Sequence, residues 1–257
     1  MTPDQRAAFE RDGYLVLPEA LSQPELEQVR QAADQAEAQW RADTNRPGIR
    51  SQTLHQVQAP IEYDERLLRL LWHPSTFPLV RELLGEDVAM IDNDLFLTPP
   101  KTPKTHADWH HDVGMRGIHH PLSLLMVKVF FLLTDVEPDS GGTAVVPGSH
   151  RFALDHAFPM VEDPKDMPGA VQITGRAGTA YLFNCRIYHC ATNNASDRWR
   201  KVLIYNYGHS WMKVWPGYEP TERLRAYAEA SGDPVVRQLL GLTPAYVADL
   251  AGAPNPA

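Results

Sequence analysis

The sequence predicts a mainly β protein with flanking helices, its core an antiparallel sandwich or barrel. Three observations carry this expectation. Short β-prone runs recur through the middle of the chain, at residues 88–97, 124–133, 143–146, 179–183 and 202–207, bounded by Pro, Gly, Asp and Asn. Helical spacing of apolar residues is confined to the two ends. A hydrophobic content of 43% beside 22% charged residues is that of an ordinary globular chain, and 22 prolines and 16 glycines mark many turns.

The elements follow in order. Thr2-Pro3-Asp4-Gln5 has the make-up of a helix start. Thr2 is the N-cap, Pro3 occupies the first turn, where its missing N–H costs nothing, and Gln5 is placed to reach back to the cap. This helix is expected to run to about Arg11, where Asp12-Gly13 turns the chain into the β-prone Tyr14-Leu15-Val16-Leu17 that Pro18 stops. A second capping box, Ser22-Gln23-Pro24-Glu25, opens a longer helix whose Leu26, Val29, Ala33, Ala36 and Trp40 form one apolar face. Residues 43–62 are polar and irregular, whereas 65–84 return to helical spacing, broken by His73-Pro74-Ser75 and closed by Gly85. Beyond the strands, 222–240 are again helix-like, ahead of the tail 251–257. No repeat and no linker divides the chain, so a single domain over 1–257 is expected.

Composition excludes several functions. The formal net charge of −8 excludes a strongly basic nucleic-acid binder. The longest apolar stretch, Val129-Phe130-Phe131-Leu132-Leu133, falls far short of the ~20 residues of a membrane span. The start Met1-Thr2-Pro3-Asp4-Gln5-Arg6 lacks a basic segment followed by an apolar one, so a cytoplasmic protein is expected. Cys185 and Cys190 fall in a strand-like stretch, where five residues at ~3.3 Å each hold them about 16 Å apart, too far for a disulfide.

Of 11 histidines, five lie between positions 106 and 120. A His and an Asp two apart on an extended chain project from one face and can offer two ligands to one metal ion. The segment holds that pattern twice, as His106-Ala107-Asp108 and His110-His111-Asp112. His189, after the apolar Tyr181-Leu182-Phe183, is a candidate third ligand; two His and one carboxylate form the facial triad of non-haem Fe(II) oxygenases. Arg198 and Arg200, entering the last strand, are both candidates to grip the distal carboxylate of a dicarboxylic acid such as 2-oxoglutarate. Lys128 interrupts an otherwise apolar strand on the face shared with Met126, Phe130 and Leu132. Burying an unpaired ammonium is costly, so it faces either an anion or water. A zinc hydrolase competes through His106-x-x-x-His110, but Ala107 stands where a general-base Glu is needed.

With these residues in view, the chain resembles the phytanoyl-CoA dioxygenase family over most of its length. Phe9 to Leu17 with Leu21 to Leu26 is similar to the family's N-terminal helix, strand and helix. Trp109-His110-His111-Asp112 resembles its Trp-His-x-Asp motif. Leu133 to Gly142, running into Val146-Pro147-Gly148-Ser149-His150-Arg151, resembles its acidic turn and Pro-Gly-Ser-His signature. His189 followed eleven positions on by Arg200 matches its distal histidine and arginine.

The resemblance implies a double-stranded β-helix, a cupin-like jelly roll. It implies Fe(II) held by His110, Asp112 and His189, 2-oxoglutarate held by Arg200, and O2 as the second cosubstrate. It sets the register, leaving His106 and Asp108 as loop residues and His150 as structural. A hydroxyl residue common in the family two positions after the distal histidine is Ala191 here, so Thr192 and Lys128 are the further cosubstrate candidates. Trp109, Met115, Tyr181 and Trp211 are candidates for contact with a small-molecule substrate, with Trp215 behind them. The presence of Asp112 points to hydroxylation with release of succinate and carbon dioxide, rather than halogenation. Desaturation, epimerisation and cyclisation begin with the same hydrogen abstraction and stay open, whereas the intact His110, Asp112, His189 and Arg200 argue against a non-catalytic jelly-roll binding protein.

Overall fold

The computed structural model describes residues 1–44, 56–103, 108–112, 123–153, 155–212 and 219–242. Both capping boxes form. Helix α1 (Pro3–Asp12) is capped by Thr2, whose side chain accepts from the Gln5 backbone N–H, and α2 (Gln23–Ala42) by Ser22, which accepts from that of Glu25. Between them Gly13, with φ +83°, turns the chain into β1 (Tyr14–Leu17). The stretch around residue 70 is divided. His73-Pro74-Ser75 separates α3 (Glu65–Arg69) from α4 (Phe77–Leu84), because the proline ring cannot continue the helical hydrogen bonding.

The strands are β2 (Gln56–Gln58), β3 (Val88–Thr98), β4 (Met126–Leu132), β5 (Thr143–Val146), β6 (Val171–Gln172), β7 (Ala180–Asn184), β8 (Tyr188–Ala191) and β9 (Arg200–His209). The chain closes with α5 (Glu222–Ser231) and α6 (Pro234–Leu239), parted at Gly232. All pairings are antiparallel. One sheet has the order β1-β7-β4-β9-β3-β2 and the other β6-β5-β8, the two layers of a jelly roll.

Alternation along the strands separates two cores. Val127, Val129 and Phe131 of β4, with Leu203, Tyr205 and Tyr207 of β9, face the helices and pack on Leu26, Val29, Ala33 and Trp40 of α2. The intervening Phe130 and Leu132, with Tyr181, Phe183, Val202 and Ile204, face the smaller sheet and meet Val145 and Ile187. Burying a side chain of this kind contributes roughly 1.5–3 kcal/mol, so the helices hold the large sheet rigidly while its inner face is left to carry the site.

Two strands were not anticipated, β2 in the stretch read as irregular and β6, two residues long; the strand-like stretch holding the cysteines is broken by a tight connection between β7 and β8. That connection corrects the cysteine argument: Cys185 lies just past β7 and Cys190 in β8, on different sheets rather than along one strand, and both are buried free thiols. His150 is structural. Its imidazole stands over Gly13, where an added Cβ would lie 2.4 Å from Nδ1, and its Nε2 meets the Glu10 carbonyl at 3.2 Å.

Candidate metal centre and active site

His110 is brought to His189 by the backbone. The two residues exchange N–H···O bonds of 2.9 and 3.0 Å, and the Asp112 N–H donates to the Cys185 carbonyl at 3.0 Å. One ligand atom from each of His110, Asp112 and His189 lies within 4.8 Å of the others. Each histidine turns its Nδ1 to a local carbonyl, His110 to Asp108 at 2.7 Å and His189 to Ile187 at 2.9 Å. Those contacts fix the tautomer and leave both Nε2 lone pairs aimed at the Asp112 carboxylate, 3.6 Å from its oxygens.

The donor set fits a divalent transition metal. Asp112 Oδ2 is buried with no hydrogen-bond partner, an arrangement that is costly until a cation occupies the space between the three side chains. Burial pushes the Asp112 carboxyl up, but Lys128, followed by His189 and His110, pulls harder and holds it well below the usual carboxylate range. Burial pushes His189 down to about 3, so its imidazole is neutral and able to ligate. Two neutral imidazoles and one carboxylate on one face suit iron(II).

Lys128 lies inside the barrel, its Nζ donating to Asp112 Oδ1 at 2.7 Å and standing 5.9 Å from the Phe183 ring centre. It therefore faces an anion, the first of the two alternatives its strand position allowed. Arg200 starts β9 on the same inner face and is buried, with Nε lacking a partner. Burial lowers its pKa, and Tyr181 is its neighbour. The Tyr181 hydroxyl also meets Thr143 Oγ1 at 2.8 Å. A desolvated guanidinium with an unused donor is suited to a carboxylate. Arg198 instead lies at the surface and pairs with Glu137.

The triad, Lys128 and Arg200 line one cavity of about 320 Å³, together with Thr143, Gln56, Asp92, Asp94 and Asn206. Other sequence-derived candidates lie elsewhere. The Thr192 hydroxyl is committed to the Gly142 carbonyl at 2.9 Å and is not among the cavity-lining residues. Tyr181 stands behind Arg200 and is fully buried. Trp109 stacks on Tyr188 with ring centres 5.4 Å apart, and Trp211 is 63% exposed at the end of β9, stacked on His209. His111 does line the cavity, and its Nδ1 meets the Arg186 carbonyl at 2.6 Å. Met115, Trp215, His106, His119 and His120 lie outside the described residues.

Sequence reasoning missed Asp92, Asp94, Gln56 and Asn206. The signal that exposed Lys128 was available for the two aspartates, which share a face inside a β-prone run. Gln56 carried none, because its strand has no apolar pattern.

Comparison with known proteins places this geometry in context. Residues 9–202 match the family model described as phytanoyl-CoA dioxygenase. The chain is 27% identical over 237 residues to an L-proline trans-4-hydroxylase of Streptomyces griseoviridis, covering 79% of this chain and 85% of that protein. It is also 27% identical over 235 residues to an ectoine dioxygenase of Nocardia farcinica, covering 79% and 77%. Among solved structures, EctD from S. alaskensis in its apoform superposes with a TM-score of 0.67 at 25% identity, over 82% of this chain and 78% of that one.

Proposed function

The chain belongs to the phytanoyl-CoA dioxygenase family and is an iron- and 2-oxoglutarate-dependent oxygenase acting on a small molecule; we propose that it hydroxylates an unactivated C–H bond through a site built on His110, Asp112 and His189. The observation that carries the assignment is the convergence of two tautomer-fixed imidazoles on a buried carboxylate whose Oδ2 has no other partner. Iron bound there supplies oxygen activation coupled to decarboxylation of 2-oxoglutarate to succinate and carbon dioxide. The chain's own residues hold and orient the reactants.

Arg200 is assigned to the distal carboxylate of 2-oxoglutarate, supported by its burial, its unused Nε and its place at the end of the cavity beside Tyr181 and Thr143. Lys128 fixes the Asp112 carboxylate and adds positive charge to the cavity that Arg200 also lines. The apolar inner residues, Phe130 and Ile204 among them, exclude bulk water from this end. The test is succinate release from 2-oxoglutarate, with candidate substrates screened by mass spectrometry for a gain of one oxygen atom. Iron-dependent succinate that disappears in Asp112→Ala is the expected result; no iron-dependent succinate from folded wild-type protein refutes the assignment.

A further inference from the structure

Arg200, Tyr181 and Thr143 form a chain of three buried polar side chains from β9, β7 and β5. The Arg200 guanidinium lies beside the Tyr181 hydroxyl and keeps its Nε unbonded. That hydroxyl in turn stands 2.8 Å from Thr143 Oγ1. Burial pushes the Tyr181 phenol up, so it keeps its proton. A guanidinium only donates, and the Tyr181 oxygen can therefore only accept from it. The phenolic proton is left to turn to Thr143 Oγ1, and the Thr143 hydroxyl, having accepted, still has its own proton to give.

Strand register sets where that proton can go. On β5 and β8, Val145 lies opposite His189 and Thr143 opposite Ala191, so Thr143 shares the face of the metal ligand's own partner, one inward place further along. Thr143 and Ala191 both line the cavity, and the Ala191 methyl offers no donor. The described lining residues include two with hydroxyl groups, Thr98 and Thr143, and Thr143 is the one joined to Arg200 through Tyr181. A carboxylate presents two oxygens, and a hydrogen bond to an ionised acceptor is about twice as strong as one between neutral groups. One end of the cavity thus holds two donors for one carboxylate, the Arg200 guanidinium and the Thr143 hydroxyl.

We propose that the Thr143 hydroxyl donates to the same distal carboxylate of 2-oxoglutarate that Arg200 holds, with Tyr181 as the positioning residue that aligns the two donors. This rests on the oxygenase reading and adds a cosubstrate-binding residue to that site. The register supplies its own check. Directly opposed residues of an antiparallel pair have Cβ atoms ~4.5–5.5 Å apart, so a hydroxyl moved from position 143 to position 191 stays at the same end of the cavity.

The test is titration calorimetry of 2-oxoglutarate into Mn(II)-loaded protein, with 2-oxopentanoate, which carries a methyl group in place of the distal carboxylate, as the control ligand. Thr143→Val should weaken 2-oxoglutarate about 10- to 100-fold, the worth of one hydrogen bond to a charged group, and leave 2-oxopentanoate within about twofold. Tyr181→Phe should cost less, because Thr143 keeps its proton and loses only the partner that aligns it. Thr143→Ser should bind as wild type does. Thr143→Ala combined with Ala191→Thr, which exchanges the hydroxyl across the strand pair, should recover most of the affinity that Thr143→Ala alone loses. These two variants carry the test if Thr143→Val does not fold. Unchanged 2-oxoglutarate binding without the Thr143 hydroxyl, equal weakening of both keto acids, or an exchange variant no tighter than Thr143→Ala overturns the proposal and leaves the oxygenase reading standing. No binding of 2-oxoglutarate to folded wild-type protein overturns that reading, and the proposal with it.

Discussion

Replacing Lys128 by Met isolates what holds Asp112 in place in metal-free protein. Asp112 has 5% of its side chain exposed, its Oδ2 has no hydrogen bond, and its Oδ1 accepts from Lys128 at 2.7 Å. Removing one partner of a buried ion pair costs about 3–5 kcal/mol, and the 14% exposure of Lys128 places this case near the lower figure. For a chain of this size each kcal/mol shifts Tm by roughly 2–4 °C, so metal-free Lys128→Met should melt about 6–12 °C below wild type. A divalent cation bound by His110, Asp112 and His189 replaces the missing positive charge. Saturating Mn(II), which avoids oxidation, should therefore raise the variant's Tm more than that of wild type and close at least half of the gap. Scanning calorimetry with and without Mn(II) measures both quantities. An unchanged gap in the presence of metal would refute the reasoning, because it would mean that Lys128 acts by packing rather than by compensating Asp112.

The pH profile of the metal-free protein should follow its buried histidines. Burial pushes His189 down to about 3 and lowers His111 and His150 as well, so below pH ~6.5 the unfolded chain binds more protons than the folded one. Stability should be complete above that pH and fall as pH drops from 6.5 towards 3; a Tm flat over that window contradicts the burial argument. Arg200→Lys should raise KM for 2-oxoglutarate at least about tenfold with a smaller change in kcat, since an ammonium cannot reproduce the guanidinium fork; an unchanged KM removes Arg200 from the cosubstrate. Gly13→Ala should cost about 1–3 kcal/mol, because φ is +83° and the new Cβ would lie 2.4 Å from His150 Nδ1. Urea titration checks this, with His150→Ala expected to relieve part of the loss.

Local signals carried most of the architecture. Thr2 and Ser22 announced their helices because a capping box is a contact across three residues, and α2 showed its buried face through its spacing. His110 and Asp112 were legible for the same reason, being two apart on an extended segment. His189 and Arg200 became selectable only through their order along the chain, since nothing local separates Arg200 from Arg198; in the structure Arg200 turns inward and Arg198 pairs with Glu137 at the surface. β2, and the separation of β8 from β7, escaped because short strands are stabilised by partners distant in sequence, β3 for the one and β5 for the other. The pairing of Gln56 with Asp94 escaped with them, as the two meet only when β2 docks on β3. Thr192 was misleading, because its hydroxyl caps a neighbouring carbonyl instead of reaching the cavity.

The most direct measurement is anaerobic: Fe(II) and 2-oxoglutarate are added to metal-free protein, and the visible charge-transfer band of the chelated iron–keto acid complex is sought, with His110→Ala as control. The account predicts a saturable band in wild-type protein that is lost in His110→Ala. A band that forms equally in His110→Ala, or no band in folded wild type, would contradict the assignment of His110, Asp112 and His189 as the iron site.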